Sequence, residues 1–150
     1  MVSSHHTEGL SDLIECLKKT GAQFELIDQN RQKEELVDAF ETSFPLAQNA
    51  TVEGQKLYKT CQTFEWTNWS EEISAFECAL NQMLAHQKHS DGMVHMVFDE
   101  QTLPIFEFNI KDLLNCVEAI LSVERGWLFS LSERAVIERR FDYRTTFSTL

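Results

Sequence analysis

Met93-Val-His-Met-Val-Phe98, then Asp99-Glu-Gln-Thr102, then Leu103-Pro-Ile-Phe-Glu-Phe108 is the stretch that decides the fold. Apolar, β-branched and aromatic residues flank a short polar turn, which is the pattern of a β-hairpin. Pro104 has no N–H to give a ladder, so it belongs at a strand start or a sheet edge. Asn109-x-x-Asp112 then forms a capping box with Asp in place of Glu. It opens a helix over 110–123, with Leu113, Leu114, Val117, Ile120 and Leu121 inward. Gly126 ends that helix. Residues 127–131 and 135–141 make a second hairpin over Ser132-Glu-Arg134. Hairpin, helix, hairpin in that order predicts an antiparallel sheet with helices packed mainly on one face, an α+β class.

The chain ahead of this unit is consistent with one domain over residues 1–150. A helix is predicted over 11–20, capped by Ser11 and stopped by Gly21, followed by a short strand over 23–27. A second helix spans about 31–43, with Leu36, Val37 and Phe40 inward, and Pro45 ends it. Residues 46–69 are the least legible, although 57–64 is rich in Thr and aromatics and suits a strand. A third helix spans about 70–88, with Ser70 as its cap and Glu71 and Glu72 complementing its N-terminal dipole. Asp91-Gly92 breaks the chain. The composition has only 2 Pro and 5 Gly but 11 Phe, which predicts a Phe-rich core contributed by several elements.

Charge limits the function classes. The formal net charge is −11. Nucleic-acid binding draws on cations set against phosphates, so direct contact with nucleic acid is disfavoured, as is an anionic membrane. An acidic surface suits a cationic partner, the plainer alternative being solubility alone. The first residues carry neither a basic n-region nor an apolar h-region, and no apolar run reaches a membrane-spanning length, so a cytoplasmic protein is expected. Cys16, Cys61, Cys78 and Cys116 form no C-x-x-C pair and are expected as free thiols. Cys16, Cys78 and Cys116 read as small buried hydrophobes within helices.

The motifs of catalysis are absent. No two Gly fall within six residues, so no phosphate-binding glycine loop can be written. There is no G-x-S-x-G elbow and no cysteine-protease signature. His86-x-x-His89 with His95 is the nearest approach to a metal set, but it lacks the third or fourth organised ligand that zinc requires. No cofactor or metal and no enzymatic activity are expected.

The segment Phe64-Glu65-Trp66-Thr-Asn-Trp69-Ser-Glu71-Glu72 joins three aromatics to three carboxylates, and no Lys or Arg occurs between Thr60 and Gln87. Aromatics give large contact areas at low entropic cost, and carboxylates around them suit a cationic partner. Glu65, Trp66, Trp69, Glu71 and Glu72 are therefore candidate partner-binding residues, with Asp99 and Glu100 at the first hairpin turn as a second group. The structural alternative makes the tryptophans core plugs and the glutamates a helix cap. Arg139 and Arg140, on one strand, point to opposite faces; they suit pairing with acids of the same domain or a small anion site.

The run Val97-Phe-Asp-Glu-x-x-x-Pro104-Ile-Phe, the Leu-rich helix, and Gly126-Trp-Leu-Phe-x-Leu131 with Val136-Ile-Glu-Arg resemble the immunity proteins of bacterial polymorphic toxin systems, contact-dependent inhibition among them. The resemblance covers roughly the last 60 residues and is a pattern of hydrophobics around a Trp. It implies a small acidic cytoplasmic α+β domain that binds one cognate toxin domain, often a nuclease, and blocks it. A nuclease needs a cationic cleft, which the acidic charge would complement. Two rival readings are an adaptor or regulatory subunit, with a larger exposed apolar patch, and a small-molecule-binding domain, with a closed polar pocket.

Overall fold

A computed structural model describes residues 4–44, 56–87, 92–139 and 142–150. Expectations for Pro45, residues 46–55, His89, Asp91, Arg140 and Phe141 fall outside the described residues. The elements are α1 (Ser4–Lys19), β1 (Phe24–Ile27), α2 (Asn30–Ser43), β2 (Thr60–Glu65), α3 (Trp69–His86), β3 (Met93–Phe98), β4 (Ile105–Asn109), α4 (Ile110–Leu113), α5 (Val117–Leu121), β5 (Gly126–Ser130), β6 (Ala135–Arg139) and β7 (Arg144–Thr149). The strands form one seven-stranded sheet in the order β1-β4-β3-β5-β6-β7-β2. Each pair of neighbouring strands is antiparallel. This is the α+β architecture that the hairpin–helix–hairpin order predicts.

The sheet has two covered faces. On one, α3 lies over β2, β6 and β7 and meets α4 and α5, while α1 packs on α5. Leu13, Leu17, Phe76, Leu80, Met83, Phe106, Phe108, Leu128 and Ile137 meet in this main core. The alternation of strand side chains sends the remainder to the other face. There Phe40 and Phe44, at the end of α2, pack with Phe129, Val136 and Tyr58. Phe40 stacks on Phe129 at 4.2 Å between ring centroids. Lys33 Nζ also donates to the Gln101 carbonyl at 2.7 Å, tying α2 to the first hairpin turn.

Several local readings differ from the structure. The first helix starts at Ser4, so Ser11 lies inside α1 and does not cap it. The 110–123 helix is two short pieces, because Cys116 leaves helical geometry (φ −129°, ψ 22°) and Leu114 turns outward instead of inward. Gly126 opens β5 and does not cap a helix. A Cβ there would stand 2.1 Å from the Val97 carbonyl oxygen, so only Gly lets β5 lie against β3. Finally, β7 (RTTFST) was not read as a strand. Its Thr145, Thr146, Ser148 and Thr149 are buried, and strand β2 completes the sheet beside it.

Candidate functional site

Antiparallel pairing brings the two candidate segments to one end of the sheet. Glu65 lies opposite Arg144, Arg139 opposite Thr145, and Phe98 opposite Gly126. The ends of β2, β3 and β6 and the starts of β5 and β7 therefore share an edge. Glu65–Trp66–Thr67, Asp142–Tyr143, Glu124–Arg125 and Asp99–Glu100 follow or precede them. From β3 to β2 is four inter-strand steps, about 19 Å, which is within the span of a standard protein interface.

Side by side in sequence, the candidate residues have different fates in space. Trp66 is buried at 5% exposure. Its indole N–H donates to Thr145 Oγ1 at 3.2 Å. Trp69, the first residue of α3, stays 42% exposed. Its indole N–H reaches Glu118 Oε1 at 3.4 Å, and the Arg139 guanidinium stands 6.0 Å from its ring centroid. Glu71 is exposed and accepts from the Thr67 amide and hydroxyl, which hold its carboxyl below the ordinary glutamate range. Asn68, not Ser70, is the N-cap, accepting from the Glu71 amide at 2.9 Å.

Glu72 and Trp66 are candidate partner-binding residues in the sequence reading, with the core as the alternative for Trp66, and the structure removes both side chains from the surface. A helix places residues 71 and 72 about 100° apart, so one carboxylate faces water and the next faces the sheet. Glu72, 4% exposed, accepts from the Arg139 guanidinium in a buried ion pair. Arg139 also donates to the Leu121 carbonyl at 2.7 Å and the Glu124 carbonyl at 3.3 Å. One guanidinium thus joins the start of α3, the end of α5 and β6. Sequence reading left Arg139 open between pairing with acids of its own domain and a small anion site; the structure shows the pairing, in a central place that the sequence did not reveal.

The hairpin-turn group is acidic in three dimensions as well. Asp99 is exposed, and its amide donates to the Arg125 carbonyl at 2.7 Å. Partial burial, then the carboxylates of Glu124 and Glu100, push the Asp99 carboxyl above the ordinary aspartate range. Glu100 is held low by the Thr102 amide and hydroxyl, which donate to it. Glu124 balances burial, which raises its carboxyl, against donation from the Arg125 amide and His6, and ends low.

Sequence reasoning missed Tyr143. It is 60% exposed with a positive φ of 63°. Its ring stands edge-on to Trp66 at 5.3 Å, and its carbonyl accepts from the Trp66 amide at 3.1 Å. Of the five large exposed hydrophobics among the described residues, Leu26, Leu57, Leu114, Trp69 and Tyr143, the two aromatics both belong to this acidic end.

The other candidates do not converge. His86 contacts the Glu133 carbonyl at 3.0 Å, and His95 pairs with Glu107 and stacks on Phe129. Among the described residues no three His, Cys, Asp or Glu form a metal-binding group. Cys116 is buried, and that burial pushes its thiol up to about 12. Cys78, expected inside, is exposed because it falls on the outer side of α3. Among the described residues no helix is long and apolar enough to cross a membrane.

A family model described as CdiI immunity protein EcoliA0-like matches residues 11–145. No curated protein matches the chain.

Proposed function

The chain belongs to the CdiI immunity protein family, EcoliA0-like, and from that premise we propose that it neutralises a nuclease-type toxin by laying the acidic end of its sheet across the toxin's cationic cleft. Membership supplies the toxin-neutralising role. The nuclease class and the occluding mode are inferred from charge. A nuclease holds its substrate through cations placed against phosphates, and a chain of net charge −11 presents the matching sign. The observation that carries the reading is the joining of Trp69 and Tyr143, both exposed, to Glu65, Glu71, Asp99 and Glu100 at one sheet end. Aromatic anchors contribute contact energy, and surrounding carboxylates steer encounter. Binding suffices for this role, and no catalytic step is required of the chain.

The test is to co-purify the chain with the C-terminal domain encoded by the neighbouring toxin gene, then assay that domain's cleavage of DNA and RNA. The expected result is a 1:1 complex in which cleavage is abolished, with association slowed at least ~10-fold between about 50 and 500 mM salt. A complex that still cleaves nucleic acid would refute occlusion. Salt-independent association would refute electrostatic steering.

A further inference from the structure

Resting on the toxin-binding reading above, we propose that the groove beside Tyr143 seats a lysine or arginine side chain of the toxin, with Tyr143 as its aromatic wall. The groove is about 410 Å³ and lies between the β2–α3 turn and the β6–β7 turn, lined by Glu65, Trp66, Thr67, Asp142, Tyr143 and Arg144. The buried Trp66 is part of that lining. Tyr143 is not a loose loop side chain. The Trp66 amide holds its backbone carbonyl and the Trp66 ring supports its own ring, yet most of the side chain faces water. A rigid exposed aromatic loses little freedom on binding, which is what an interface anchor requires. A bulky residue at φ 63° is an uncommon conformation that costs stability. Beyond that edge contact with Trp66 the ring faces solvent, and the backbone bond to Trp66 could be made by any residue that tolerates the left-handed region.

Charge fixes the occupant. The lining carries the carboxylates of Glu65 and Asp142 against one guanidinium, Arg144, which stands 3.7 Å from Asp142. Glu71 and Glu118 extend the negative field from α3 and α5. An aromatic wall and an excess of carboxylate favour a cationic side chain over an anionic or apolar one.

The experiment measures affinity for the cognate toxin domain with the wild-type chain and the variants Tyr143→Asn, Glu65→Gln and Arg144→Gln, alongside thermal melting of each. Asn tolerates the left-handed backbone, so Tyr143→Asn should melt at or above the wild-type temperature while affinity falls on the order of 30-fold. Glu65→Gln should weaken binding and Arg144→Gln should tighten it, because the first removes a carboxylate and the second removes the competing cation. Tighter binding by Glu65→Gln or weaker binding by Arg144→Gln would overturn the cationic occupant, and unchanged affinity in all three variants would overturn the groove as a contact. If the wild-type chain fails to bind the toxin, the toxin-binding reading fails first, and this proposal falls with it.

Discussion

Glu71 keeps its carboxylate in water and accepts from Thr67, while Glu72 turns inward onto Arg139. Truncating one partner of a buried ion pair strands the other charge, so Glu72→Met should cost about 3–5 kcal/mol. The E72M/R139M double variant should cost less than Glu72→Met alone, because no charge is left buried. Urea denaturation of the three chains decides it, and a double variant worse than the single would contradict the stranded-charge argument. Asp99 makes the opposite case. Burial and two neighbouring carboxylates raise its pKa in the folded state, so the folded chain holds its proton more tightly than the unfolded chain. Stability from that group is therefore full below the ordinary aspartate pKa and is lost as pH rises through the raised folded value. Asp99→Asn should raise the melting temperature at neutral pH, leave it unchanged at about pH 3, and slow association with the toxin. Which of two adjacent glutamates is inward was not legible, because a helical step of about 100° decides it and only the packed sheet fixes the phase.

The elements that could be read were those with apolar periodicity. β3, β4, β5, β6 and α3 carry clear patterns, and each stands close to its predicted place. β7 was missed because Arg-Thr-Thr-Phe-Ser-Thr gives no apolar alternation; its signal was the β-branched threonines alone. With β7 unread, the Asp142-Tyr143 turn could not be seen as a connection between paired strands, and the groove stayed hidden with it. Tyr58 Oη, just ahead of β2, and Thr146 Oγ1 of β7 are buried with no hydrogen-bond partner among the described residues, and burial raises the Tyr58 hydroxyl far above its ordinary pKa. An unpartnered buried hydroxyl costs stability, so Tyr58→Phe should be neutral or stabilising by about 1 kcal/mol. A clear loss in its denaturation midpoint would show that the hydroxyl is bonded in solution. Gly126→Ala should behave in the reverse way. Its new methyl meets the Val97 carbonyl and the Phe98 backbone, so β5 must part from β3 in the middle of the sheet. The variant should be largely unfolded at 25 °C by circular dichroism.

Across the whole molecule, order in the sheet converts sequence-distant acids into one surface. β2 and β3 are separated in the chain by α3, but the strand order β3-β5-β6-β7-β2 sets their ends along a single edge. Arg139, buried beneath Trp69, ties that edge to α3 and α5. The acidic composition was plain from the sequence, and so was the interest of the Trp66–Glu72 segment. Its union with Asp99 and Glu100 followed only from strand order, which no local pattern encodes. The reading that this edge neutralises a toxin is tested most directly by growth of cells expressing the neighbouring gene's toxin domain together with either the wild-type chain or a chain carrying Glu65→Lys, Asp99→Lys and Glu100→Lys. These side chains avoid the buried ion pair, so the charge-reversed chain should fold, which its circular dichroism spectrum verifies. Rescue by the wild-type chain and failure of the folded charge-reversed chain is the predicted result. Equal rescue by both would place the protective surface elsewhere on the molecule and contradict the account.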